Sequence, residues 1–435
     1  MIETTSFFEN NDSGKFTNLG SSPDTLLYLM HWMKEKAASL LEVRIALYLF
    51  NNRAFYDFLN SPEMRHCKVV VYSIPLEGYD TRNPLPVYDF DSGHFIERAS
   101  KYDFAERLYS SAKVRPFSNV LIRIVPHMYL RSSRVNSFSR GQMPYSLHCK
   151  CFYARCADGK NYFGLSSTNF ALRDAGKMET MTVISLNDGM DSSAKDFFSG
   201  LDENSYPLDT FDESADWSHY EVKLRPVPSK SNLMFVAPFY KYSACIFEEN
   251  LQTMIRRAQS RIVICAQHVS SYKYSYERLY EEGQQQAGVV RKEGFLSDVL
   301  AQAQRGLDTT ILSQTYVDAG GSRGCRAPQN KKSFIDFAEA AKRTHCNHFV
   351  NENIHCKFLL IDDIAVVTTC NLTPTQFIYL PNVRIDKFVN MPGASYSGVH
   401  CEVGAYFAAR CPELVAFLER VVDEIIRDQN TRRMY

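Results

Sequence analysis

Two stretches of the chain set the same side-chain types in the same order. Leu147-His148-Cys149-Lys150 leads to Ser166-Ser167-Thr168-Asn169, and Ile354-His355-Cys356-Lys357 leads to Thr369-Cys370-Asn371. A lone glutamate in an apolar segment follows each, Glu179 in the first half and Glu402 in the second. Splitting a phosphate diester by covalent catalysis needs a nucleophile to take the phosphoryl group and an acid to protonate the leaving oxygen, on opposite sides of phosphorus. Two histidines can fill both posts, because an imidazole with a pKa of ~6.5 is a neutral nucleophile or a charged acid near pH 7 depending on its neighbours. Lys150, Lys357, Asn169 and Asn371 would hold the non-bridging oxygens, and removing one such donor typically costs ~3 kcal/mol. This chemistry needs neither metal nor cofactor, and none is expected.

The bare H-x-K pattern occurs three times, so it carries little weight alone. His66-Cys67-Lys68 is a decoy: it enters the apolar run Val69-Val70-Val71 but no small-polar-asparagine element follows. His148 and His355 both stand where an apolar strand is expected to begin, and both reach an asparagine after a turn, 21 and 16 residues on.

With these residues in place the chain resembles the phospholipase D superfamily, whose usual signature is H-x-K, four residues, D, then a small-residue turn ending in asparagine. The second copy runs His355, Lys357, four residues, Asp362, then Thr369 and Asn371, one residue short of the usual spacing. The first copy has Arg155 where the aspartate is expected, with Asp158 three residues on in an Asp158-Gly159-Lys160-Asn161 segment that reads as a hairpin turn. Tyrosyl-DNA phosphodiesterases, a branch of the superfamily, also lack that aspartate. The resemblance implies a phosphohistidine intermediate, with Glu179 and Glu402 hydrogen-bonding the far ring nitrogens and Ser167, Thr369 and Asp362 supporting the site. Related enzymes place the nucleophile in the first motif, which points to His148. The implied fold class is α/β, two phospholipase D-like halves packed as a pseudo-dimer with one shared active site.

The elements that must position these residues repeat in order. In the second half, Phe247–Gln259 has helical spacing, Arg261–Ala266 reads as a buried strand, Asp308–Val317 as a strand and Lys331–Arg343 as a helix, and His355 opens the next strand. In the first half the same order gives a helix over Leu26–Ala38, strands over Val43–Phe50 and Lys68–Ile74, a helix over Phe104–Ala112 and a strand over Val120–Val125, and then His148. The predicted organisation is a polar N-terminal segment at 1–22, a first half at 23–201, a linker rich in Asp, Ser and Pro at 202–231, and a second half at 232–435.

Composition narrows the remaining classes. With 435 residues the chain exceeds the size at which single cores stop growing. Nowhere do 18 consecutive apolar residues occur and no signal peptide is evident, so the expected location is the cytoplasm. Twelve cysteines are scattered without a C-x-x-C pair and read as reduced thiols, Cys149 and Cys356 packing behind the site because strand alternation turns them away from the His and Lys pairs. A zinc reading of His345-Cys346-Asn347-His348 lacks the usual paired spacing, and a cysteine-protease reading lacks a partner set.

Net charge is zero, 49 basic against 49 acidic residues, yet acid-free basic runs precede both motifs. Arg131, Arg134 and Arg140, interleaved with Tyr129, Phe138 and Tyr145, stand before the first; Arg323 and Arg326, with Lys331 and Lys332, stand before the second. They could follow a polyanionic backbone, so the expected substrate is nucleic acid and the expected enzyme a nuclease. The alternatives are a phospholipase D or phosphatidyltransferase, for which Phe377–Pro381 is the best candidate membrane loop, and a catalytically inactive scaffold. Stand-alone cytoplasmic members of this kind resemble nucleases of bacterial antiviral defence, a setting with operon-encoded protein partners.

Overall fold

The computed structural model describes residues 2–9, 16–17, 20–21, 24–75, 85–89, 94–99, 101–126, 145–170, 177–211, 222–228, 231–240, 243–269, 273–278, 280–281, 288–315, 331–372, 377, 383–384 and 401–435. The chain divides into two compact units. One comprises Met1–Arg131, Leu147–Lys223 and Pro228–Leu233, the other Ser132–Ser146, Leu224–Val227 and Met234–Tyr435.

In the first unit, strands β1 (Ile2–Glu9), β2 (Leu40–Leu47), β3 (Lys68–Ser73), β4 (Val120–Ile124), β5 (Lys150–Cys156), β6 (Asn161–Ser166), β7 (Met178–Ser185) and β8 (Tyr206–Pro207) form a sheet in the order β1-β7-β6-β5-β2-β3-β4-β8. The β2-β3-β4 pairs are parallel and the rest antiparallel. Alternating side chains divide its faces. Val43, Ile45, Val69, Val71, Ile122 and Ile124 pack with residues of helices α1 (Asp24–Lys36), α2 (Arg53–Leu59) and α3 (Lys101–Val114). Tyr72 and Tyr153, on the other face, meet Phe198 of α4 (Asp188–Glu203). Side-chain caps start two helices where the sequence changes character: Asn52 accepts from Phe55 N at 3.0 Å and Asn187 from Met190 N at 2.9 Å.

The second unit repeats this topology. Strands β9 (Leu233–Val236), β10 (Arg261–Ala266), β11 (Asp308–Ser313), β12 (Asn347–Val350), β13 (Phe358–Ile361), β14 (Ile364–Thr368), β15 (Cys401–Ala409) and β16 (Arg432–Arg433) follow the path β9-β15-β14-β13-β10-β11-β12-β16. Every strand thus takes the place of the strand eight earlier. Helices α5 (Ser243–Arg257), α6 (Phe295–Gln304), α7 (Lys331–Arg343) and α8 (Pro412–Arg427) fall in the same intervals as α1 to α4.

Three places differ from the sequence reading. Residues 2–9, taken as part of a polar N-terminal segment, form the edge strand β1, paired with β7 from Ile2↔Ile184 to Glu9↔Met178. The start of the expected linker belongs to the first unit. Asp202 closes α4 and accepts from Tyr72 Oη at 2.7 Å and Arg44 Nη1 at 2.5 Å, and β8 adds to the sheet beside β4. His355 does not open a strand: β13 begins at Phe358, three residues later.

Candidate active site

Lys150 is the first residue of β5, paired with Leu47 of β2, and is wholly buried. A buried ammonium needs acceptors, and two belong to its own motif. Lys150 Nζ donates to His148 O at 2.8 Å and lies 2.8 Å from His148 Nδ1. With the ammonium donating, a neutral ring carries its proton on Nε2. Between them Cys149 is a buried thiol outside any disulfide, pushed up by that burial.

The small-polar element is tied to β7. Ser167 N donates to Thr180 O at 3.0 Å and Thr180 N donates to Ser167 Oγ at 2.9 Å, while Ser166 Oγ accepts from Thr168 N at 3.0 Å. Ser167 Oγ donates to Glu179 Oε2, both residues being buried. Directly after Asn169, Phe170 has φ +53° although it is bulky and buried. Backbone strain of this kind gathers at functional sites.

The second unit builds the same turn. Lys357 Nζ donates to His355 O at 2.7 Å, Thr369 N donates to Ala405 O at 3.0 Å, and Ala405 N donates to Thr369 Oγ1 at 3.1 Å. Leu372, directly after Asn371, has φ +56°. Cys356, like Cys149, is buried and outside any disulfide.

Sequence reasoning left Gln314 without a role. Its side-chain amide donates to Ile354 O at 2.7 Å, fixing the peptide that carries His355. Asn351, buried nearby in the chain, accepts from Asn353 N at 2.9 Å and donates to Asp428 Oδ1 at 2.8 Å. A polar residue at the end of an apolar strand was the available signal for Gln314. Asn351 likewise follows an apolar strand, but its contacts with Asp428 and Thr431 lie 77 and 80 residues away and have no signal in the sequence.

The register exposes a difference between the halves. Thr180 serves Ser167 as Ala405 serves Thr369, so the counterpart of Glu179 is Gly404 and not Glu402. A Cβ at Gly404 would run into Cys370 Sγ and lie 2.7 Å from Thr369 Oγ1, so the space a side chain needs is already filled. Glu402 stands two residues away in β15, on the same strand face by alternation.

Register also accounts for Arg155. Five residues past each motif lysine, Asp362 stands at the end of its strand next to Arg261, and Arg155 pairs with Glu42. Asp362 accepts from Ser260 N at 2.8 Å, Gln259 N at 2.9 Å and Arg261 N at 3.1 Å. Burial pushes its carboxyl up, but these bonds outweigh it and hold the group at about 2. In the first unit the signs are exchanged, Arg155 Nε lying 3.6 Å from Glu42 Oε2. The position lies at the strand end away from the motif lysine, so its identity follows local pairing.

Arg131, Arg134, Arg140, Arg323 and Arg326 lie outside the described residues, as do Tyr129, Phe138, Tyr316 and all of 378–381; Phe377 is buried. His348, of the sequence-level cluster, is buried against Phe334 and Phe337, with Nε2 3.0 Å from Ser313 Oγ. Among the described residues no group of three His, Cys, Asp or Glu could hold a metal ion, and no helix is long and apolar enough to cross a membrane.

No family model and no curated protein matches the sequence. Solved structures do match the fold. Phosphatidylserine synthase from Haemophilus influenzae is similar over 99% of this chain and 87% of its own, with TM-score 0.52 and 13% identity. Polyphosphate kinase from Porphyromonas gingivalis is similar over 93% of this chain, with TM-score 0.50 and 11% identity, and the chain spans 46% of that longer protein. Yeast tyrosyl-DNA phosphodiesterase is similar over 86% of this chain and 83% of its own, with TM-score 0.41 and 10% identity.

Proposed function

We propose that this chain, which has the fold of the phospholipase D superfamily, is a metal-independent phosphodiesterase that cuts nucleic acid through a phosphohistidine. The observation that carries the reading is the duplicated placement of a buried lysine bent onto its own motif histidine, with a small-polar turn tied to the neighbouring strand and an asparagine after it, in both halves of one chain.

In this mechanism the two motifs serve one phosphorus. One imidazole attacks, the P–N bond forms as the P–O bond to the leaving group breaks, and the other imidazolium gives that oxygen its proton. Water then attacks phosphorus, its proton goes to the second imidazole, and the P–N bond breaks to regenerate the first. Lys150, Lys357, Asn169 and Asn371 hold the non-bridging oxygens, and Glu179 and Glu402 orient the imidazoles, from unlike registers. For His148 to attack, as the family resemblance implies, Lys150 must leave Nδ1 for a phosphate oxygen. The basic residues Arg131, Arg134, Arg140, Arg323 and Arg326 would guide the polyanion.

Transfer of a phosphatidyl group is the second reading, favoured by the likeness to phosphatidylserine synthase along nearly the whole chain. The test is cleavage of labelled single- and double-stranded DNA, RNA and a chromogenic diester in EDTA, beside His148→Ala and His355→Ala. Cleavage that survives chelation and vanishes in both variants supports the nuclease. Lipid head-group exchange without strand cleavage supports the second reading, and binding without cleavage a scaffold.

A further inference from the structure

The proposed mechanism leaves Gln314 and Asn351 unused, although both are buried polar residues, 4% and 2% exposed, beside the second motif. Ser313 ends β11 and pairs with Val350, which ends β12, so these two residues step off the ends of neighbouring strands. Those ends lie on the motif side of the sheet: β10, β11 and β12 are parallel, and Cys265 near the end of β10 pairs with Phe358, the residue after Lys357. In the first unit Ser73 pairs with Ile124 in the same way, and Val125 N donates to Ser73 O at 3.0 Å as Asn351 N donates to Ser313 O at 2.9 Å. Ile74 therefore stands in the place of Gln314, and Val125 in the place of Asn351. Both are buried. The second half thus buries amides where the first buries hydrocarbon. An amide is costly to bury unless it is hydrogen-bonded, so its use must lie in the bonds it makes.

Those bonds converge on Ile354, the residue before His355. Ile354 N donates to Asn351 O at 3.2 Å, and Ile354 O accepts from Gln314 Nε2 at 2.7 Å. Asn351 is itself held from below the loop. Its Nδ2 donates to Asp428 Oδ1 at 2.8 Å and Thr431 Oγ1 at 2.9 Å, and Asp428 Oδ1 also accepts from Asn430 N at 2.8 Å. The turn between α8 and β16 is thereby clasped to the loop that carries His355. The chain enters His148 through a strand, Tyr145–Leu147, whereas 351–357 lie outside any strand. A loop has no ladder of its own to satisfy and orient its peptides, and here the two amides supply those bonds.

We propose that Asn351 and Gln314 are positioning residues for His355, and that through Asn351 the turn at 428–431 sets the direction in which the second imidazole leaves the backbone. A rotamer is defined relative to its own backbone, so fixing Ile354 on both its N–H and its C=O fixes the ring. Displacing a reacting group by about 1 Å costs about 10²-fold in rate. The activity arm of the test rests on the phosphodiesterase reading, and the spectroscopic arm does not.

The experiment compares full-length protein with Asn351→Val and Gln314→Ile, which install the first half's residues, with the double variant, and with Asp428→Asn and Asp428→Ala. Each is assayed for hydrolysis of a chromogenic diester in EDTA. Each is also labelled with ring-¹³C histidine, the His355 and His348 signals being identified by their loss in His355→Ala and His348→Leu. Each single variant is expected to lose about 10²-fold in kcat with KM within threefold of the parent, and the double variant little more than the larger single loss, because both residues act through Ile354. Asp428→Asn keeps an acceptor for Asn351 and stays within threefold, while Asp428→Ala loses at least tenfold. In the variants that lose activity the His355 signal shifts or broadens, and that of His348, on β12, stays in place. Should Asn351→Val not fold, Gln314→Ile leaves the clasp intact and carries the comparison alone. Unchanged kcat with an unmoved His355 signal overturns the proposal. So do losses that multiply in the double variant, or a His348 signal that moves with that of His355, since either makes the amides merely structural. A parent that hydrolyses no diester removes the phosphodiesterase reading instead, and the ring signals still decide whether the amides hold His355.

Discussion

Ser167 donates its hydroxyl hydrogen to the carboxylate of Glu179, both residues buried, and at the matching register of the second half Gly404 has no side chain to receive one from Thr369. If these turns support the histidines as proposed, the two halves do so differently. Glu179→Gln is expected to lower kcat about 10²-fold, the scale of a lost acid–base contribution. Glu402→Gln is expected to cost less than tenfold. Steady-state hydrolysis of a chromogenic diester checks the pair, and equal losses would contradict the asymmetry.

Gly404 is fixed by what surrounds it. Gly404→Ala forces Cys370 Sγ and Thr369 Oγ1 aside, an overpacking that costs roughly 1–3 kcal/mol. Adding Cys370→Ala should return part of that loss in chemical denaturation, because it empties the more crowded side. Additive losses in the double variant would place the strain elsewhere.

Arg155→Asp would install the aspartate of the signature that the motifs resemble, and it is not expected to raise activity. It turns the contact with Glu42 into a like-charge pair, costing about 1 kcal/mol at this partly exposed position. Asp362→Asn should likewise lower the melting temperature with kcat per folded molecule nearly unchanged. A large fall in kcat for Asp362→Asn would make it part of the chemistry.

Burial holds His348 down at about 4, against an ordinary 6.5. The unfolded chain binds a proton there as pH falls through 6.5 while the folded chain resists until about 4. Stability is therefore lost as pH drops between these values, by up to about 3 kcal/mol from this group. His348→Leu should flatten that part of the pH–stability curve. An unchanged curve in urea titrations at pH 7, 6, 5 and 4.5 would assign the dependence to other groups.

What could be read from the sequence was set by how local its cause is. Arg261–Ala266 and Lys331–Arg343 were bounded correctly, because a compact apolar run and a helical period are self-contained signals. The edge strands β1 and β8 were missed, since a polar segment becomes a strand only when a distant partner offers a free ladder, here β7 and β4. His355 was placed one element too late for the same reason: the peptide before it is held by Gln314, 40 residues away. The histidines, lysines, asparagines and the glutamate after each motif stand out in the sequence as a repeated pattern. That Glu179 and Glu402 occupy unlike registers does not, because ten residues separate Asn169 from Glu179 and 31 separate Asn371 from Glu402, and a loop's length says nothing of strand register.

The central claim is that His148 and His355 of one chain act on a single phosphorus, and the most direct measurement is single-turnover cleavage of an unactivated dinucleotide in EDTA by the parent and each His→Ala variant, with quenched protein analysed for phosphohistidine. The account predicts at most one phosphoryl group per chain, always on the same histidine, and at least a 10³-fold loss in either variant that mixing the two variants does not restore. Two phosphoryl groups per chain, or variants that each retain about half the parental rate, would contradict it.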